Sequence, residues 1–235
     1  MFKSTLILFT FIIVSKANAL VIDTMFLISD QKGNGVISLT NDFEQASYIT
    51  TKIEEINVDQ NQSIVRTPYN KENIDTWKIM TTHPKLILEG KITKDIGIRA
   101  LCGEKCAIES DMVFSVAFEP APYFAEGETP NNTVNINYGY AAIYVIPTAN
   151  GRIDYDIKNR GESLEVFNKG NTLVSFVIDY CSPSIKENCR LTERVIAGRK
   201  RMISLPENLR KDALVVKAYN HDETYKQQHT VALTR

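Results

Sequence analysis

Between Asp111 and Glu119 the side chains alternate, with Met112, Phe114, Val116 and Phe118 on one side of an extended chain and Val113, Ser115, Ala117 and Glu119 on the other. A period of two marks a strand with one face on a core, and the same texture runs through most of the sequence. Ser47–Val58 is rich in β-branched residues and free of Pro and Gly, Val36–Thr40 ends in the turn pair Asn41-Asp42, and Lys85–Leu88 is closed by Glu89-Gly90. Leu164–Phe167 and Thr172–Tyr180 flank Asn168-Lys169-Gly170-Asn171, whose Gly and Asn suit a turn, and Arg201–Leu205, Ala213–Tyr219 and Thr230–Leu233 follow. No helical stripe runs longer than about two turns. Pro147-Thr148-Ala149-Asn150-Gly151 and the polar segment through Arg160 predict a linker. Short strands divided once by a linker predict an all-β protein of two sandwich domains.

The first residues are of another kind. Met1-Phe2-Lys3-Ser4 is basic, Thr5–Val14 is almost wholly apolar, and Ala17-Asn18-Ala19 places small residues where a signal peptidase reads. The apolar run is too short to span a bilayer, so residues 1–19 are expected to be a secretory signal cleaved after Ala19. Removing 19 of 235 residues leaves 216, and the loss of Lys3 and Lys16 takes the formal charge from −1 to −3. A mildly acidic chain without a basic stripe is not expected to bind nucleic acid. The four cysteines form two close pairs, Cys102/Cys106 and Cys181/Cys189. In an exported protein they are expected to be disulfides; three connectivities are open, the two local ones being simplest. No His lies near either pair, which argues against a metal site.

Catalytic patterns are hard to find. His83, His221 and His229 are the only histidines, and no Gly-x-Ser-x-Gly elbow, phosphate-cradling glycine loop or His-Glu-x-x-His helix occurs. Glu54 and Glu55 would point to opposite faces of a strand. Neither an enzyme nor a cofactor is expected. The informative segment is Asn132–Pro147, a long uninterrupted run in which Val134, Ile136, Tyr138 and Tyr140 share one face, interleaved with Asn135, Asn137 and Gly139. It is either a strand of its own domain's core or one that presents apolar teeth to another protein's open sheet, a mode in which backbone hydrogen bonds give affinity and alternate side chains fill pockets.

Taken in order, the segments resemble the periplasmic pilus (fimbrial) chaperones of the chaperone–usher pathway, closest to the divergent alternate and archaic branch. The segments are Val21–Ile28 with Val36–Asn41, Tyr48–Ile56, Trp77 through Pro84–Leu88 with Ile96–Leu101, Asp111–Pro120, and Asn132–Pro147 with its Tyr-x-Tyr-Ala-Ala-Ile centre, followed by Asn168–Asn171 and Cys181…Cys189. The resemblance implies two immunoglobulin-like β-sandwich domains set at an angle, residues 20–147 and 148–235. It also implies a non-catalytic periplasmic protein that lends Val134, Ile136, Tyr138 and Tyr140 to pilus subunits, delivers them to an outer-membrane usher, and could self-associate when free. Common members hold the subunit's terminal carboxylate with a basic residue on the first strand and another near the end of the donor strand. Here Met25 stands at the first place and no Lys or Arg occurs from Asn132 to Gly151. Arg99 and then Arg152 are the expected substitutes, since a guanidinium holds a carboxylate with two prongs. The competing reading is a structural pilus subunit or adhesin built of two sandwiches.

Overall fold

The structure, a computed structural model, describes residues 19–103, 106–107, 109–124 and 138–234; the expected signal segment, Ala19 excepted, lies outside them. The described residues up to Ile146 form ten strands: β1 (Leu20–Ile22), β2 (Phe26–Ile28), β3 (Gly35–Asn41), β4 (Ser47–Val58), β5 (Ile64–Pro68), β6 (Ile79–Thr81), β7 (Lys85–Leu88), β8 (Thr93–Ala100), β9 (Met112–Pro122) and β10 (Tyr140–Ile146). They make two sheets, one ordered β1-β3-β8-β6 and the other β2-β10-β9-β4-β5, with β7 also paired to β4. Ile37, Leu39, Ile96 and Ile98 of the first sheet face Ile49, Phe114, Val116, Phe118, Ala142 and Tyr144 of the second, and these side chains form the buried core between the layers. The alternation read in β9 therefore turns the expected face inward. Its opposite face is not wholly wet, because Val113 is buried with Ile56 and Val145 in a separate apolar cluster joined by Ile196 of the second domain.

That second domain contains β11 (Tyr155–Asn159), β12 (Ser163–Asn168), β13 (Val174–Asp179), β14 (Arg190–Val195), β15 (Lys200–Ser204), β16 (Ala213–Tyr219) and β17 (Lys226–Ala232). Its sheets are ordered β11-β12-β15 and β14-β13-β16-β17, so the molecule is two β-sandwiches, as the strand pattern predicts. In this domain two strands lie where none was expected. β11 falls inside the polar stretch assigned to the linker: Tyr155 and Ile157 pack on the core while Asp156 and Lys158 are exposed. β14 was overlooked because four of its six residues are polar or charged, yet Leu191 and Val195 pack on the core and Arg190, Thr192 and Arg194 point out. Both disulfides are the local ones, Cys102–Cys106 and Cys181–Cys189.

The domains are joined by a dense polar knot. The Asp111 carboxylate, at the foot of β9, accepts hydrogen bonds from the linker amide of Thr148 (2.8 Å) and, in the second domain, from Leu173 N–H (2.6 Å) and Thr172 Oγ1 (3.0 Å). The Asp111 N–H donates to the Asn171 carbonyl (3.0 Å), and the Asn171 side-chain amide donates to Glu109 (2.7 Å) and Asn150 (3.1 Å) carbonyls. Burial pushes the Asp111 carboxyl above its ordinary value, against the opposing pull of its three donors and of His221. It holds its proton more tightly folded than unfolded, so this group alone favours the fold below the carboxylate range and gives up that advantage as pH rises through it. Asp111→Ala leaves two main-chain donors without an acceptor, at about 1–3 kcal/mol for each group left unsatisfied. Urea denaturation at pH 7 is expected to show a net loss of about 1–3 kcal/mol, the relief of a buried charge offsetting part of the penalty.

Candidate functional site

Strand β10 is flanked by β9 along its whole length, from Tyr140 opposite Phe118 to Ile146 opposite Met112. On its other side β2 runs parallel to it only at Ile143, Tyr144 and Val145. There the Ile143 N–H donates to the Met25 carbonyl (2.9 Å) and the Ser29 N–H to the Val145 carbonyl (2.9 Å). Backbone groups of successive residues turn to alternate edges of a strand. The N–H and C=O of Ala141 therefore face the same edge as those of Ile143, and among the described residues no strand pairs with them. The edge ends where it does because of Thr24, whose hydroxyl donates to the Phe26 carbonyl (2.8 Å) and accepts from the Phe26 N–H (3.2 Å). At this bend the chain leaves β1 in one sheet and enters β2 in the other.

The side chains on the core side of β10 form a single row. Ile146, Tyr144 and Ala142 are buried in the domain's own core, Tyr140 is partly buried against it, and Tyr138 is 70% exposed. Tyr144 anchors the row by donating to the Gly33 carbonyl (2.7 Å). Gly33 is at φ +76°, and a Cβ there would lie 2.8 Å from that of Ala100, so this turn position needs glycine. Burial pushes the Tyr144 phenol pKa up, which keeps the hydroxyl a donor. Of the four teeth expected from the sequence, Tyr138 and Tyr140 thus lie where the row leaves the sandwich; Val134 and Ile136 lie outside the described residues. An exposed apolar side chain, Met25 (50% exposed), stands at the end of the open edge.

The structure does not bring the two expected arginines to this edge. Arg99 alternates with the buried Ile96 and Ile98 on β8, so it projects from the outer face of the other sheet, in register with Met80. Arg152 lies in the linker, its guanidinium engaged by Asp154 (3.4 Å) and the Lys169 carbonyl (3.2 Å). The cation at the end of the edge is one the sequence reading missed, Arg194 of β14, whose guanidinium carbon sits 4.4 Å from the centre of the Phe26 ring. The Leu191/Val195 alternation was the available signal that a strand would present Arg194 outward. Nearby, a cleft cavity of about 1070 Å³ is lined by Asp30, Lys32, Pro147, Thr148, His221 and Asp222, joining both domains and the linker.

The row makes a direct test possible. Tyr144→Ala opens a cavity and is expected to cost about 3–5 kcal/mol, whereas Tyr138→Asp removes nothing from the core and should leave the unfolding midpoint within the error of thermal denaturation.

A family model described as the CS5 fimbrial protein N-terminal domain matches residues 22–147. Among solved structures, the class 5 fimbriae chaperone CfaA is 14% identical with a TM-score of 0.55, the match covering 92% of this chain and 100% of that one. A chain from the Salmonella enterica SafA pilin in complex with the SafB chaperone is 11% identical with a TM-score of 0.55, covering 92% and 98%. One from the CsuC–CsuE chaperone–tip adhesion subunit pre-assembly complex of the archaic Csu pili of Acinetobacter baumannii is 7% identical with a TM-score of 0.54, covering 92% and 100%. At these identities the likeness is one of fold. No curated protein sequence matches the chain.

Proposed function

The chain belongs to the family of the CS5 fimbrial protein N-terminal domain, and on that premise we propose that it is a periplasmic chaperone that captures fimbrial subunits by lending them a strand and passes them to an outer-membrane usher. The observation that carries this reading is β10, with Ile146, Tyr144 and Ala142 buried and Tyr138, two residues before the strand, exposed, beside a backbone edge that β2 covers only at Ile143–Val145. A strand paired along one edge and only partly covered on the other can take a second protein's strand beside it. A subunit that lacks a strand exposes an apolar groove and an unpaired edge, both prone to aggregation. Tyr138, with Ile136 and Val134 continuing its alternation in the sequence, would fill that groove, each buried side chain contributing about 1.5–3 kcal/mol. Association and ordering costs consume much of the sum, which leaves the subunit transferable.

In this reading residues 1–19 direct export, residues 20–147 and 148–235 are the two domains, and the role needs no catalysis or cofactor. A structural subunit or adhesin is the weaker alternative. The first domain already carries its own β10 paired along β9, so its sandwich is closed by its own strand rather than waiting for one.

The test is co-expression with a fimbrial subunit, sought first among any encoded by neighbouring genes. A soluble one-to-one complex is expected with the wild-type chain, and Ile136→Asp/Tyr138→Asp is expected to abolish capture without shifting the unfolding midpoint. A subunit equally soluble without this chain would overturn the reading.

A further inference from the structure

The junction between the domains is wider than the polar knot around Asp111. The turn between β4 and β5 braces itself: the Asp59 carbonyl accepts from the Gln62 N–H (2.9 Å), the Asp59 side chain accepts from the Ser63 N–H (2.8 Å), and Gln62 sits in the left-handed region at φ +63°. The turn between β14 and β15 is braced likewise, its Arg199 N–H donating to the Ile196 carbonyl (3.2 Å). Asn168 ties that turn to its own domain, its N–H donating to the Arg199 carbonyl (3.0 Å) and its side-chain amide to the Val195 carbonyl (2.8 Å). These two turns meet. Ile196 packs with Ile56, Val113 and Val145, Gly198 lies against Val58, and the Arg199 guanidinium donates to the Gln62 carbonyl (2.6 Å). Arg199 Nε is buried there with no hydrogen-bond partner among the described residues. A guanidinium that gives up water for one neutral acceptor adds little net stability, and what such a contact supplies is direction.

We propose that the Arg199–Gln62 contact is a latch that holds the angle between the two domains, with the linker and Asp111 as the pivot. At the end of the sheet that meets the second domain, β10 runs into the linker, Asp111 precedes β9, Val58 ends β4 and Gln62 lies in the turn before β5, and these strands are neighbours in that order. Adjacent strands stand about 4.8 Å apart, so the latch lies roughly 14 Å from the linker and the Asp111 bonds only about 5 Å from it. A restraint close to a pivot permits rotation, whereas one three strands away opposes it. The cleft of about 1070 Å³, lined by residues of both domains, therefore keeps one width. A partner then meets a surface already shaped and pays less to order it. The inference holds whichever partner the open edge takes.

The test places spin labels on Lys85→Cys of the first domain and Lys211→Cys of the second, both exposed, in the full chain, whose native cysteines are joined in two disulfides. Pulsed electron–electron double resonance then reads the distance between the domains. One narrow distribution is expected with Arg199 present. Arg199→Ala is expected to broaden it about 1.5- to threefold, because the outermost restraint moves in from three strand spacings to between one and two. Arg199→Lys, a cation of similar reach, should narrow it again. The thermal midpoint should move little, and Arg199→Met, which keeps the packing of the stem, replaces the alanine variant if that one unfolds. Hydrogen exchange at the Asp111 and Leu173 amides should stay protected in Arg199→Ala, since the pivot is untouched. A broad distribution with Arg199 present, or an unchanged one in Arg199→Ala and Arg199→Met, overturns the latch. Broadening accompanied by loss of protection at those two amides overturns the division into latch and pivot. Each of these results leaves strand lending standing.

Discussion

Everything in the first domain turns on how the two edges of β10 are satisfied. One edge is fully paired with β9; the other, among the described residues, is paired only with β2 and over three residues. An unpaired strand edge with apolar side chains beside it is a hazard in a soluble protein. Its retention here, bordered by the exposed Met25 and Tyr138, is reasonable only if something else is meant to cover it. The covered half has its own function. Tyr144, held by the Gly33 carbonyl, and the buried Ile146 fix the strand in the sandwich, so the open edge is presented from a rigid base.

The second domain is part of that base. Asp111 and Asn171 tie the start of β9, the linker and the β12–β13 turn together through main-chain atoms, a type of contact that depends little on the identity of neighbouring side chains. Around them the apolar seam of Ile56, Val113, Val145 and Ile196 covers the outer face of the sheet that contains β10. Polar bonds that need good geometry and apolar contacts that need only area act together, the first setting orientation and the second adding stability.

Much of this could be read from the amino acids. The alternation in β9 gave both the strand and its inward face, the Pro147–Gly151 cluster lies between the last strand of one sandwich and the first of the next, and the cysteine spacing agrees with two local bridges. Where reading failed, the reason was long-range pairing. β11 and β14 are mostly polar, and only their partners β12 and β13 make them strands. Which half of β10 lies open depends on a three-residue strand that starts at Phe26, too short to leave a periodic signal. Arg99 has the chemistry of a carboxylate anchor, but it alternates with the buried Ile96 and Ile98 and so faces away from the edge. Arg194 reaches Phe26 only because two separately folded units meet there, which no local pattern encodes.

The bend at Thr24 has a mechanical consequence. Three residues before it are laced into one layer of the sandwich and three after it into the other, so the two layers are stapled by a continuous piece of main chain. Peeling β2 away to lengthen the free rim would drag β1 with it and expose the buried Leu20. Fraying is thus opposed from both sides of the wall, and the span offered to a guest behaves as a fixed length rather than a fluctuating one.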